Sequence, residues 1–145
     1  SDGFAEMINK DHAGAKEDPA KVIAEMICEE TYLDSQAALN LARDILTKGP
    51  KLVFITEGAE GARAITATQN RFVAARKVTV ADTVGAGDTF NAGALCSLHE
   101  AGALTKARLA ALSDAELDDA LMLGAHAAAI TVSRAGANPP WRAEL

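Results

Sequence analysis

The chain has few aromatic residues, few cysteines, no excess of positive charge and no long apolar run. Phe, Trp and Tyr make up 4% of its 145 residues, while 49% are hydrophobic and alanine is conspicuous. That is the composition of a helix-rich α/β protein in water. The length suits one compact domain. The net charge of −6 argues against a nucleic-acid partner, whose phosphates demand a basic face. It leaves room for a small phosphate-bearing ligand, which backbone amides and a metal ion can hold locally. The two cysteines, Cys28 and Cys96, lie far apart and lack metal-ligand spacing. Cys96 reads as a small core residue, and nothing demands an oxidising compartment. No apolar run can span a bilayer and the start is not a signal peptide, so the expectation is no membrane and a cytoplasmic location.

What the chain does have is Asp82-Thr83-Val84-Gly85-Ala86-Gly87-Asp88-Thr89-Phe90. The β-branched run Lys77–Val80 before it reads as the end of a strand, and Asn91–Leu98 after it reads as a buried helix. Free N–H groups of a first helical turn, with the helix dipole behind them, attract an anion. Glycines let the backbone approach a phosphate closely. Asp88, beside those amides, can accept the proton of an attacking hydroxyl while they stabilise the transferring group. The alternative on local physics is that Asp88 is only a helix cap and the glycines only a turn.

Elsewhere the elements follow their signals. Asp18-Pro19 predicts a helix to about Glu29, with Val22, Ile23, Met26 and Ile27 on one face. A short helix is expected around Phe4–Ile8. Asp34 or Ser35 starts another, with Leu39, Ala42, Ile45 and Leu46 as its stripe and Gly49-Pro50 as its stop. Lys51–Thr56 predicts a strand buried on both faces. Glu57–Ala62 is a turn, and Arg63–Ala67 and Phe72–Ala75 are strands. Thr105–Leu112 is a short helix. Ser113–Glu116 is a capping box opening a helix to about Val132. Trp141 is expected to fold back onto the surface, and Asp118-Asp119 to be a solvated face. His126 is either packed among alanines or part of a site. Thr56–Gly61 alone reads best as a β-turn.

The stretch Asp82–Phe90 resembles the C-terminal signature of the ribokinase-like carbohydrate kinases, the pfkB family. The resemblance implies a three-layer α/β/α fold and ATP-dependent phosphorylation of a sugar hydroxyl with magnesium. It implies that Asp88 is the base and that Gly85, Ala86 and Gly87 form the anion hole. Thr56, Gly58 and Gly61 match the family's Thr-x-Gly-x-x-Gly turn beside the nucleotide, and His126 is the candidate on the adenine side, with Ala125, one position earlier, as the alternative. A monovalent cation, potassium, would be held by Asp82, the backbone of Val84, and carbonyls near Thr131 and Gly136. Pro140 stands where some relatives supply a serine, and Asp82 could instead orient the loop by accepting its N–H groups. Val132-Ser133-Arg134-Ala135-Gly136-Ala137 is similar to the family's closing segment. The end and the Ser1-Asp2 start look most like fructokinases, with ribokinase and ketodeoxygluconate kinase close behind.

Residues 1–145 read as one partial domain, the C-terminal part of such a kinase. The sugar lid and the first strands of the sheet are expected to be absent, so the isolated chain is expected to be inactive and to self-associate. Asp2 and Glu6 are substitutes for the family's magnesium-associated acid. The rival reading is a nucleotide-binding or interaction module without turnover.

Overall fold

The computed structural model describes residues 23–27 and 35–145. The expected Phe4–Ile8 helix, Asp2, Glu6 and Cys28 lie outside the described residues. Among the described residues four strands and four helices follow in the order β1 (Ile23–Ile27), α1 (Ser35–Thr47), β2 (Leu52–Thr56), β3 (Gly61–Ile65), β4 (Asn70–Ala74), α2 (Ala86–Glu100), α3 (Lys106–Leu109) and α4 (Asp114–Val132). A 3-10 turn spans Arg142–Glu144. The sheet order is β1-β2-β3-β4, with β1 parallel to β2 and the other neighbours antiparallel.

Period-two alternation in β2 builds the layers. Leu52 and Phe54 join a core with Phe90, Ala94 and Leu98 of α2 and Leu117, Ala120 and Leu121 of α4. Val53 and Ile55 face the other way, against Ala38, Ala42 and Ile45 of α1. The sheet therefore lies between helices, and the nearly continuous apolar run of β2 is explained by burial on both sides. Gly93 and Gly124 let α2 and α4 touch backbone to backbone. A Cβ on Gly93 would lie 2.9 Å from the Leu123 carbonyl oxygen, and one on Gly124 would lie 2.8 Å from that of Phe90. The Ser113–Glu116 capping box closes as expected.

Four expectations are corrected. Ile23–Ile27 is a strand, not part of a helix. A short apolar run fits either period, and the ladder to Leu52–Thr56 decides for the strand. Lys77–Val80 is not a strand, since no described strand pairs with it, and Val80 is 58% exposed. Trp141 is 81% exposed and does not fold back. Cys96 is half-buried rather than a core residue.

Asp118, expected in a solvated face, is bound by the edge strand. Arg71 donates to its two oxygens at 2.8 and 2.6 Å. The hydrogen bond from Arg71 holds the Asp118 carboxyl below its ordinary value, and the Arg71 pKa is raised in turn. A depressed carboxyl adds stability that is complete above the ordinary carboxylate pKa and is lost as pH falls through the lowered value. Asp118→Asn is therefore expected to lower stability at neutral and alkaline pH and to flatten the acid limb, so that the two proteins converge at low pH. Thermal melts from pH 2 to 8 check this, and an unchanged acid limb would count against the pair.

Candidate functional site

The strand-to-helix approach ends in a loop, and α2 begins at Ala86 with Gly85 as its N-cap. Gly85 takes φ 79°, a left-handed conformation that side chains resist. A Cβ there would also stand 3.2 Å from that of Ala137. Thr89 N–H is the first of the helix to reach an i−4 carbonyl, that of Gly85 at 2.9 Å. The amides of Gly87 and Asp88 make no hydrogen bond among the described residues. Ala86 N–H points to the Thr83 carbonyl at 3.3 Å, a long bond. Asp88 is the third helical residue, exposed, with no partner for its carboxylate among the described residues. Two free donors and one free carboxylate thus share one helical turn.

Asp88 also lines a cavity of about 300 Å³ between α2, α4 and the C-terminal segment. Thr89, Cys96, Ala127, Pro139 and Arg142 form much of the rest of its wall. Arg142 is held there by Glu100, with donor–acceptor distances of 2.9 and 3.0 Å from one nitrogen. Arg134 pairs with Glu144, whose other oxygen accepts the Trp141 N–H at 2.7 Å. Sequence reading missed this wall. The only signal for Arg142, the charged residue in it besides Asp88, was its charge, which says nothing of partners until the chain folds.

Asp82 does not face solvent freely. One oxygen accepts Val84 N–H at 3.0 Å, and the other accepts Gly136 N–H at 3.1 Å. These bonds, first from Val84 and then from Gly136, hold the Asp82 carboxyl below its ordinary value. Of the four groups considered for potassium, Asp82, Val84 and Gly136 do meet. They meet through N–H groups rather than oxygens. The Thr131 carbonyl accepts from Arg134 N–H at 3.1 Å and the Gly136 carbonyl from Asn138 N–H at 2.9 Å. Thr131 is itself buried, with its hydroxyl donating to the Ala127 carbonyl at 3.0 Å. Among the described residues no three His, Cys, Asp or Glu side chains cluster as a metal site. A magnesium ion carried on nucleotide phosphates needs only one or two protein carboxylates, and Asp88 stands beside the unbonded Gly87 and Asp88 amides.

Thr56 closes β2, and the turn after it is pinned by Glu57 N–H to the Gly61 carbonyl at 2.8 Å. None of Thr56, Gly58, Gly61 and His126 lines the cavity. Gly61 has a fold reason of its own. Its φ is 144°, and a Cβ there would fall 2.1 Å from the Val73 carbonyl oxygen. Gly61→Ala is therefore expected to cost about 1–3 kcal/mol of stability through overpacking. Gly58→Ala, with nothing within 4 Å of the added carbon, is expected to cost less. Urea midpoints of the two variants test this, and equal losses would remove the packing argument. His126 is half-buried on α4, one residue from cavity-lining Ala127.

Comparison with known proteins gives a consistent picture. The family described as pfkB family carbohydrate kinase matches residues 19–144. A fructokinase of Rhizobium leguminosarum bv. trifolii is 51% identical over 77 residues, which is 53% of this chain and 24% of that protein. A ribokinase of Haemophilus influenzae is 32% identical over 119 residues, 82% of this chain and 35% of its own length. The crystal structure of a Vibrio cholerae fructokinase with fructose, ADP and calcium ion superposes with a TM-score of 0.62 at 25% identity, covering 82% of this chain and 37% of that one. The chain spans 24% and 35% of these two curated relatives. The layered arrangement of sheet and helices is the ribokinase-like fold, in part.

Proposed function

Because the chain belongs to the pfkB family of carbohydrate kinases, we propose that it is the catalytic and nucleotide-binding part of an ATP-dependent sugar kinase acting on fructose. The observation that carries the proposal is the unpartnered Asp88 carboxylate beside the free Gly87 and Asp88 amides. Bound ATP supplies the phosphoryl group, and magnesium offsets the charge on its phosphates. Asp88 accepts the proton as the sugar hydroxyl oxygen bonds to the γ-phosphorus and the bond to the leaving ADP oxygen breaks. The amides at Gly85–Gly87 and the N-terminus of α2 donate to the oxygens on which charge gathers. Their positions are set before the ligand arrives, so little reorganisation is needed.

Fructose as the substrate is supported by the higher identity to a fructokinase, 51% over 77 residues. The longer match to a ribokinase, 32% over 119 residues, supports ribose as the competitor. The Thr56–Gly61 turn and His126 are assigned to the nucleotide side on family resemblance. The test is ADP release by the complete polypeptide that the gene encodes, with magnesium, ATP and a panel of fructose, ribose and 2-keto-3-deoxygluconate. Fructose-dependent release is expected. Nucleotide binding without release for any sugar would favour a module that does not turn over.

A further inference from the structure

We propose that Asp82 is a positioning residue: its carboxylate clasps the motif loop to the loop after α4 and so fixes the anion-binding amides at the start of α2. This rests on the kinase reading above but concerns a part of the site that the reading leaves unexplained. The two oxygens of one side chain serve two loops. Val84, two residues on, donates to one at 3.0 Å, and Gly136, 54 residues on, donates to the other at 3.1 Å. A second tie lies beside it. The Val132 carbonyl, at the last residue of α4, accepts Ala81 N–H at 2.7 Å and Asp82 N–H at 3.2 Å. Ala137 then sits against Gly85, where an added Cβ would stand 3.2 Å from the Ala137 methyl carbon.

Little else holds this loop. Thr83 is exposed and Val84 is 58% exposed, so apolar burial does not anchor it. Hydrogen bonds to an ionised acceptor are roughly twice as strong as neutral ones. Removing the carboxylate leaves Val84 and Gly136 without their acceptor while the two hydrophobic clusters keep every contact. The consequence is a displaced Gly85–Gly87 turn on an intact core. Misplacement by an ångström at such a turn is enough to cost about 10²-fold in rate.

Asp82→Asn keeps the size but turns an NH2 group toward one of the two amides. In the complete gene product its kcat is expected to fall about 10²-fold, with the sugar KM little changed and the melting temperature close to that of the unaltered protein. In the NMR spectrum of the 145-residue chain, the Val84 and Gly136 amide protons are expected to move upfield in the variant, while those of Leu98 and Leu121 stay. Hydrogen exchange in the unaltered chain is a check that needs no variant. The Val84 and Gly136 amides should be protected relative to Gly87, whose amide makes no hydrogen bond among the described residues, and exchange at the open-chain rate would overturn the clasp. Retained kcat in Asp82→Asn would overturn it too. So would a response of those amides that appears only with potassium, since the carboxylate would then act as a cation ligand. An unaltered protein with no kinase activity but protected Val84 and Gly136 amides would sink the kinase reading and leave the clasp standing.

Discussion

Replacing Asp88 with asparagine is expected to lower the turnover of sugar phosphorylation by about 10²–10⁴-fold, the range that a positioned general base contributes. The variant keeps the size of the side chain and the third position of α2, so the amides beside it stay where they are. Only the capacity to take a proton is removed. Nucleotide affinity should hold or rise, because one negative charge has left the neighbourhood of the phosphates. The two readings of Asp88 separate here. A residue that merely favours the helix start through the dipole would change stability slightly and leave kcat alone. Steady-state kinetics of the complete gene product and ADP titration give the answer. Retained kcat in Asp88→Asn would remove Asp88 as the base, whatever the family.

The second large effect is expected in the core beneath the motif. Phe54 is fully buried in β2, and its ring meets that of Phe90 edge-on, with centroids 5.8 Å apart and planes at 78°. Phe90 lies two residues beyond Asp88 on α2. Phe54→Ala is expected to cost about 3–5 kcal/mol, the range for emptying a buried aromatic site. That is a large share of the roughly 5–15 kcal/mol of a typical domain. The loss is also directional. The cavity opens under α2, so the helix that presents Asp88 loses its support from the sheet. Urea unfolding measures the cost, and Phe54→Leu should recover much of it. A loss under about 1 kcal/mol would mean that the helix is supported elsewhere.

The core and the cavity wall meet in α2 for a physical reason. Its buried residues Phe90, Ala94 and Leu98 lock it to the sheet, while Asp88, Ala92 and Cys96 on another face line the cavity. Successive turns put residues four apart on one face, so one helix serves as both core and site wall. The Gly93–Gly124 contact brings α4 close enough to close that wall.

The sequence by itself determined the parts that depend on near neighbours. The capping box at Ser113 needs only residues three apart. The stop of α1 near Gly49-Pro50 and the burial of β2 were likewise local matters of torsion and pattern. The Asp82–Phe90 stretch marked the helix start and its unbonded amides, since amides at a helix start are free by geometry. Tertiary structure decided whatever depends on a partner distant in sequence. Ile23–Ile27 became a strand because β2 offered a ladder. Lys77–Val80 stayed unpaired because no described strand offered one. Gly61 gained a packing reason from Val73, and Asp118 gained Arg71. Asp82 shows the division most clearly. Its place in the motif was readable, and so was its ability to bind N–H groups of its own loop. That its second oxygen would reach Gly136 depended on α4 bringing a distant loop back to the motif, and only the folded chain contains that contact.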